Sequence, residues 1–376
     1  MDRMEAEDFS LFGLLGRSWE LDSGVVDLTF DNADGAVGFT LADGSVAVAK
    51  VKDQEPATGR IRISAEDGRS SILPRTKALP PITRFNVQDG TPVALTAYGK
   101  HGFVMGDASG ALTSVTIGGE RTPFSSSLGA PIVAIDHAEE TGDLACVTAD
   151  ENLVLIRRGR AAPEPLTLDH AAKATAFSAD GSHLAVAGGN RLTICRTNEN
   201  VETVCKLVIA DAPLTLAWSP DRTRLALGHE AGGVSIWQLG DDTPLTFKDY
   251  PAPVRRIVWS HDGRSLLTSG AFRMIVWPLD PLKINGAAPQ ALETGKPSLV
   301  AVEAVTAHPA RPLIAAGYEN GMLIIAQQGK QDELVIKTEG QGAITAAQWS
   351  KNADHIAIGS DQGLGAIIEL PPQLFK

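Results

Sequence analysis

Four stretches of this chain end a strand-like run with an aromatic residue that is followed by a serine and then by a polar turn. They lie at 176–181, 217–221, 258–263 and 348–352. The first three aromatic residues are Phe177, Trp218 and Trp259, which recur with a constant period of 41 residues. A period of about 40–45 residues indicates one supersecondary unit that is repeated and stacked.

Each repeat contains the same series of short strands. An apolar strand ends at the aromatic residue, and a second strand of small apolar residues closes on glycine or serine. A third strand is rich in valine, isoleucine and leucine, and a more polar fourth strand returns the chain. Such strands with regular turn signals indicate all-β structure. Eight copies are present, with first strands at about 25–30, 93–97, 132–135, 174–177, 214–218, 254–259, 304–307 and 344–349.

Each copy resembles a blade of a WD-repeat β-propeller, and the resemblance covers almost the whole chain. Trp237 and Trp277 stand where that family has the Trp of its Trp-Asp pair, but the residues that follow them are Gln238 and Pro278. Asp169 and His170 are the nearest match to the Gly-His pair of the family. The chain is therefore similar to degenerate, bacterial-type WD-repeat proteins, and we expect their internal His–Ser/Thr–Trp–Asp network to be mostly lost.

The resemblance implies an all-β fold, a single closed β-propeller of four-stranded antiparallel blades. Eight blades are expected, and seven remain open if one weaker copy is not a full blade. Closure is needed because an open array would leave exposed strand edges. The last copy ends near Leu370 with too little chain for a fourth strand, whereas 16–21 alternates like a strand. We predict that 16–21 completes the last blade.

The predicted domain organisation is an N-terminal apolar segment, 1–15, followed by the propeller, 16–376. Two insertions interrupt the period, at about 52–89 and 281–296. The first is either a solvated hairpin that lengthens an outer strand or a basic loop for an acidic partner, given Arg60, Arg62, Arg69, Arg75, Lys77 and Arg84. The apolar segment is expected to pack on the edge or face of the propeller, or to dock a partner, through Phe9, Leu11, Phe12, Leu14 and Leu15.

Charge and composition restrict the class of protein. The net charge is -12, which disfavours nucleic-acid binding because that function needs a dense Lys/Arg surface. Three cysteines do not make a disulfide framework. Cys195 and Cys205 are expected on adjacent strands, either as two buried thiols or as a functional pair. The sequence lacks a signal-peptide pattern and an apolar stretch long enough for a membrane span, so we expect a cytoplasmic protein. We also expect it to be monomeric.

Motifs for catalysis are absent from the sequence. It contains no phosphate-binding loop, no Gly-x-Ser-x-Gly elbow and no His-Glu-x-x-His. His261, His308 and His137 recur in the turn after the first strand and are interpreted as turn groups, and the resemblance implies that His170 braces its own blade. Acidic residues that precede third strands are expected to hydrogen-bond tight turns: Asp43, Asp107, Asp150 and Asp361. We therefore expect no metal, no cofactor and no enzymatic activity.

A partner surface is predicted where residues break the repeat. Interfaces are enriched in Tyr, Trp and Arg, and this chain has only three tyrosines. The predicted partner-binding residues belong to neighbouring blades on the face with the connections between blades: His229, Tyr250, Arg255, Phe272, Arg273 and Tyr318. Local packing of these side chains is the alternative. The predicted function is a scaffold that binds a protein or peptide, with a channel enzyme (hydrolase or lyase) and a nucleic-acid accessory factor as alternatives.

Overall fold

A computed structural model describes residues 10–63, 70–86, 93–160, 162–209, 211–241, 243–280 and 289–375. Within these ranges the chain forms eight four-stranded antiparallel sheets and one two-stranded hairpin. The innermost strands contact one another in ring order, and the first and the last meet. The predicted closed propeller is confirmed, with eight blades and not seven.

The first elements of the described part are α1 (Leu11–Leu15) and β1 (Gly16–Glu20). In blades 1 to 4, strands a to d run outward as β2 (Val25–Phe30), β3 (Ala36–Leu41), β4 (Ser45–Lys50), β7 (Thr83–Asn86); β8 (Ala94–Ala97), β9 (Phe103–Gly106), β10 (Leu112–Val115), β11 (Arg121–Pro123); β12 (Ile132–His137), β13 (Leu144–Thr148), β14 (Leu153–Ile156), β15 (Glu164–Leu166); and β16 (Ala174–Phe177), β17 (His183–Gly188), β18 (Arg191–Arg196), β19 (Glu202–Val208).

Blades 5 to 7 comprise β20 (Pro213–Trp218), β21 (Arg224–His229), β22 (Val234–Gln238), β23 (Leu245–Phe247); β24 (Ile257–Trp259), β25 (Ser265–Thr268), β26 (Met274–Pro278), β27 (Leu292–Thr294); and β28 (Val302–Ala307), β29 (Leu313–Tyr318), β30 (Leu323–Gln327), β31 (Glu333–Lys337). Blade 8 comprises β32 (Ile344–Trp349), β33 (His355–Ser360), β34 (Leu364–Glu369) and, as its strand d, β1. A 3-10 turn, Pro372–Phe375, follows.

The ring is closed by the N-terminal strand, as predicted. β1 runs antiparallel to β34, from the pair Gly16 and Ile368 to the pair Glu20 and Leu364. Because the two strands come from opposite ends of the chain, the last blade is complete only when both ends of the chain are in place.

The repeated serine after the aromatic residue forms a turn. The Ser219 hydroxyl donates to Asp221 Oδ1 (2.5 Å) and accepts from the backbone N–H of Arg224 (3.0 Å). The same pair of bonds recurs two and five residues after Ser178, Ser260 and Ser350. Each hydroxyl thus satisfies two groups of a tight strand a–b turn, which explains why the signal repeats.

In two of the four remaining blades, another side chain accepts hydrogen bonds in place of the serine. In blade 7, His308 Nδ1 accepts from the backbone N–H groups of Ala310 and Arg311, both at 3.0 Å. In blade 1, Asp31 Oδ1 accepts from the N–H of Ala36 at 2.9 Å. The turn role predicted for His308 is confirmed. His137, in contrast, occupies the aromatic position and lies 5.0 Å from the Tyr98 ring.

Glycine lies near the end of several b strands because the next blade is too close for a side chain. A Cβ on Gly317 would lie 2.4 Å from the Ile344 side chain, and one on Gly359 would lie 2.3 Å from Val25. The b strands are buried on both faces, and alanine is among their buried residues. This packing explains the small-residue second strand of each repeat.

The first insertion forms a clasp over the seam between blades 8 and 1. It contains α2 (Ala57–Arg60) and the hairpin of β5 (Ile61–Ile63) and β6 (Ser70–Ile72). Glu369 of β34 accepts from the N–H of Thr58 (3.2 Å) and from its hydroxyl (2.8 Å). The indole N–H of Trp19 donates to Pro80 O at 3.0 Å. The hairpin is a separate sheet, so the expectation that it lengthens an outer strand is wrong.

Four of the six basic side chains predicted for this insertion form hydrogen bonds or ion pairs within the molecule. Arg60, which is buried, donates to Leu73 O (2.6 Å) and to Leu14 O. Arg75 pairs with Asp53, and further bonds involve Arg62 with Gly59 O and Ile61 O, and Arg84 with Asp22 and Asp43. Arg69 lies outside the described residues. The strand d of blade 1, β7, falls inside the predicted range 52–89, so the additional segment ends near 82.

The second predicted insertion, 281–296, shows the same difference. Strand d of blade 6, β27, lies within it, and 281–288 are outside the described residues. The N-terminal segment packs as expected on the edge of the propeller. Leu15 is buried, and Phe12 lies beneath the Lys337 ammonium at 5.7 Å, although Phe9 is not among the described residues.

Cys195 and Cys205 occupy adjacent strands of blade 4, as predicted, but face opposite sides of the sheet. Cys195 is paired with Thr203 and Cys205 with Ile194, so the two side chains leave the sheet on different faces. No disulfide links the three cysteines, all of which lie in the described part. No helix within the described ranges is long and apolar enough to cross a membrane.

Candidate partner-binding site on the top face

The six residues predicted to bind a partner do lie on one face. We call it the top face, the face formed by the b–c turns and by the connections that lead into each strand a. Two backbone bonds join its parts: the N–H of Val254 donates to His229 O (3.1 Å), and the N–H of Ser298 donates to Phe272 O (2.7 Å). Blades 5, 6 and 7 therefore contribute neighbouring loops, but their side chains differ strongly in exposure.

Tyr250 takes part in a hydrogen-bond network inside blade 6. Its hydroxyl lies 2.7 Å from Thr268 Oγ1 and accepts from the indole N–H of Trp277, also at 2.7 Å. Burial raises the pKa of this phenol. The Trp277 ring stacks on Phe247 at 3.9 Å. The His–Ser/Thr–Trp part of the network thus persists here, with tyrosine in the position of histidine.

Tyr318 and His229 are core residues, contrary to their prediction as accessible anchors. Tyr318 is 1% exposed, and burial raises the pKa of its hydroxyl to about 12. His229 is 4% exposed, and its Nε2 lies 2.8 Å from Ser235 Oγ. Both residues end a b strand and are buried there, Tyr318 in a core cluster that blades 6 and 7 share. The rarity of tyrosine was therefore a poor guide to exposure.

An exposed apolar pair with basic neighbours remains. Phe272 is 47% exposed and Leu299 is 98% exposed, and the backbone bond between Ser298 and Phe272 holds their loops together. Arg255 is exposed, and Arg273 is half-buried with Nη2 3.4 Å from Gly295 O. We call Arg255, Phe272, Arg273 and Leu299 the top patch. Leu299 was missed from the sequence because a single leucine in a loop carries no distinctive signal.

The top patch borders a cavity of about 510 Å³ at the mouth of the central channel. Arg255, Arg256 and Glu303 line this cavity. Arg256 Nη2 pairs with Asp27 Oδ1 at 2.9 Å, which joins blade 6 to blade 1 across the ring. Burial raises the pKa of Glu303, although the charge of Arg255 opposes that shift. The mouth is therefore a mixed-charge surface.

Other predicted residues have structural roles. His170 Nε2 lies 2.9 Å from Thr193 Oγ1 of its own blade, which confirms the bracing role. Turn bonds are present at three of the four acidic positions: Asp43 with Ser45, Asp107 with Ser109, and Asp150 with Thr148. Asp361 instead lines the channel-mouth cavity. No group of three or more His, Cys, Asp or Glu residues suited to a metal occurs in the part of the chain described.

Comparison with known proteins identifies the fold. No protein-family model and no curated protein matches the sequence. Among solved structures, the C-terminal WD40 domain of Sif2 is 13% identical with a TM-score of 0.67, and the alignment covers 94% of this chain and 98% of that one. The computationally designed Ika8 protein is 15% identical with a TM-score of 0.67, covering 93% and 98%. This chain has the fold of an eight-bladed WD40-type β-propeller.

Proposed function

We propose that this protein is a non-enzymatic interaction scaffold that binds a protein or peptide partner through the top patch. The observation that carries the proposal is the exposure of Phe272 and Leu299 on two loops of the top face that a backbone hydrogen bond joins. Large exposed apolar side chains that are grouped, rather than scattered, mark interaction sites. A fold alone does not fix an activity, so the proposal depends on this surface and not on the likeness to other propellers.

The top patch has the composition of an interface centre. An aromatic ring and an aliphatic side chain can lose water together, while Arg255 and Arg273 at their border supply donors to carbonyl or carboxylate groups. The scaffold beneath is stiff because the Tyr250 network and the buried Tyr318 ring support the loops. A partner would therefore lose little free energy in ordering this surface.

The test is partner capture with variants of the patch. The double variant F272A/L299A should lose most of the proteins that co-purify from native extract, because anchor truncations typically cost about 1–4 kcal/mol in binding. The matched control is V208S, which removes an apolar side chain that is 77% exposed on the outer strand of blade 4. V208S should retain the partners.

Two results would contradict the proposal. One is unchanged capture by a folded F272A/L299A protein. The other is loss of capture only in E303Q, which would move the site into the channel mouth and favour the alternative of a channel ligand. A monomeric state and a cytoplasmic location remain predictions, for light scattering and fractionation to check.

A further inference from the structure

A second cavity lies between blades 2 and 3, beside the a–b and c–d turns of blade 3 and away from the top face. Its volume is about 210 Å³. Tyr98, Phe124 and Ile156 form apolar walls, and the first two rings meet edge to face at 4.9 Å. The c–d turn, 157–160, forms the rim with three arginines. The cavity thus combines aromatic walls with a basic rim in a protein of net charge -12.

Two of the three arginines are neutralised by carboxylates. Arg157 is buried, and its Nη1 donates to Asp143 Oδ2 at 3.1 Å. Arg160 Nη1 donates to Glu164 Oε1 at 2.5 Å. Arg158 is exposed and forms no ion pair with any residue in the described ranges. The rim therefore carries three guanidinium groups against two carboxylates, which leaves one positive charge.

Arg158 is positioned by its neighbours. Its backbone N–H donates to Asp143 Oδ1 at 2.9 Å, and its side-chain stem crosses Gly142, where a Cβ would lie 2.6 Å from Arg158 Cδ. The Tyr98 hydroxyl donates to Gly142 O at 3.2 Å. Burial raises the pKa of Tyr98 while the Arg158 charge opposes the shift, consistent with a guanidinium close to that ring.

We propose that this cavity binds a small monoanionic carboxylate with a flat apolar body. The carboxylate would pair with Arg158, whose planar donors suit bidentate recognition, and the body would lie against Tyr98 and Phe124. One unpaired guanidinium matches one negative charge and not the two of a phosphate group. The site lies apart from the top patch, so it is independent of the proposed partner function.

The experiment is a titration of the full chain followed by ligand-observed NMR. Benzoate should bind with an affinity in roughly the millimolar range, as expected for a ligand of this size. Three further compounds serve as comparisons. Benzyl alcohol lacks the negative charge, acetate lacks the flat apolar body, and inorganic phosphate replaces the carboxylate by a different anion. All three should bind more weakly than benzoate.

Variants locate the binding to Arg158. R158Q should weaken benzoate binding about tenfold, the usual effect of losing a charged hydrogen bond, and R158K should lie between. R191Q is the matched control, because Arg191 is an exposed arginine paired with Asp169 elsewhere in the molecule. Absence of benzoate binding, equal binding of benzyl alcohol or phosphate, or unchanged affinity in folded R158Q would each overturn the proposal.

Discussion

Replacing Tyr250 by phenylalanine tests whether this residue supports its blade or contacts a partner. The substitution removes one oxygen and keeps the ring. Thr268, which is 0% exposed, then loses its bond to that oxygen, and the indole N–H of Trp277 loses its acceptor. Because Trp277 is also stacked on Phe247, its ring should stay in place. Y250F thus isolates the two hydrogen bonds.

The expected cost follows from those two bonds. A buried polar group without a partner costs about 1–3 kcal/mol. The Thr268 hydroxyl can rotate about its C–O bond, whereas the indole N–H is fixed by its ring and cannot change direction. We therefore expect Y250F to lower the free energy of unfolding by about 1–3 kcal/mol, the cost of one unsatisfied buried N–H.

Guanidinium-induced unfolding, followed by tryptophan fluorescence, measures this change as a lower midpoint. The matched control is Y318F. Tyr318 is buried on the same face, but its hydroxyl forms no hydrogen bond with a described residue, so its removal should change stability by less than about 0.5 kcal/mol. An equal midpoint for Y250F and the wild type would refute the network argument. Loss of partner capture by a folded Y250F, as large as that of F272A/L299A, would restore Tyr250 as a contact.

Three further predictions concern single hydrogen-bonded groups. Burial raises the pKa of Asp136 to about 6, so the stability this carboxyl contributes is present below about pH 4 and lost as the pH rises to 6. Relative to wild type, the free energy of unfolding of D136N should therefore increase by about 1–3 kcal/mol between pH 4 and 6, measured in parallel unfolding titrations. The lower end of this range applies if solvent screens the half-buried carboxyl. S260A should cost about 1–3 kcal/mol in denaturant, because Asp262 and the Ser265 N–H lose their shared partner. E369A should leave the blades intact but speed limited proteolysis within the clasp, and a cleavage rate equal to wild type would contradict that role.

Much of the fold was predictable from the sequence because its determinants are local. The aromatic-serine signal and its acidic residue form one turn within a few residues, and this turn repeats with the blade. The closing strand was predictable from the number of strands in each repeat. The last copy lacked a fourth strand, and the strand that contains Trp19 preceded the first copy. The clasp was not predictable, because Glu369 and Thr58 are far apart in the sequence and come into contact only in the closed ring.

The candidate site was harder to predict because exposure depends on contacts between blades. Tyr250 and Tyr318 stand in loops and strand ends that look accessible in a repeat diagram, yet neighbouring blades cover them. Phe272 was identified correctly as unrepeated and is exposed, whereas Leu299 gained significance only from the bond that brings its loop to Phe272.

The positions that hold each blade together explain how this chain has a WD40-type fold without matching a family model. The turn after strand a needs an acceptor for backbone N–H groups, and Ser260, His308 and Asp31 all provide one. The brace on Trp277 needs a hydroxyl or imidazole acceptor, and Tyr250 provides it. Substitution at such a position is therefore limited by hydrogen-bond geometry more than by residue type. Such exchanges remove the sequence pattern by which a family is recognised. Each exchange nevertheless keeps the buried hydrogen-bonding groups of the blade paired and the ring closed.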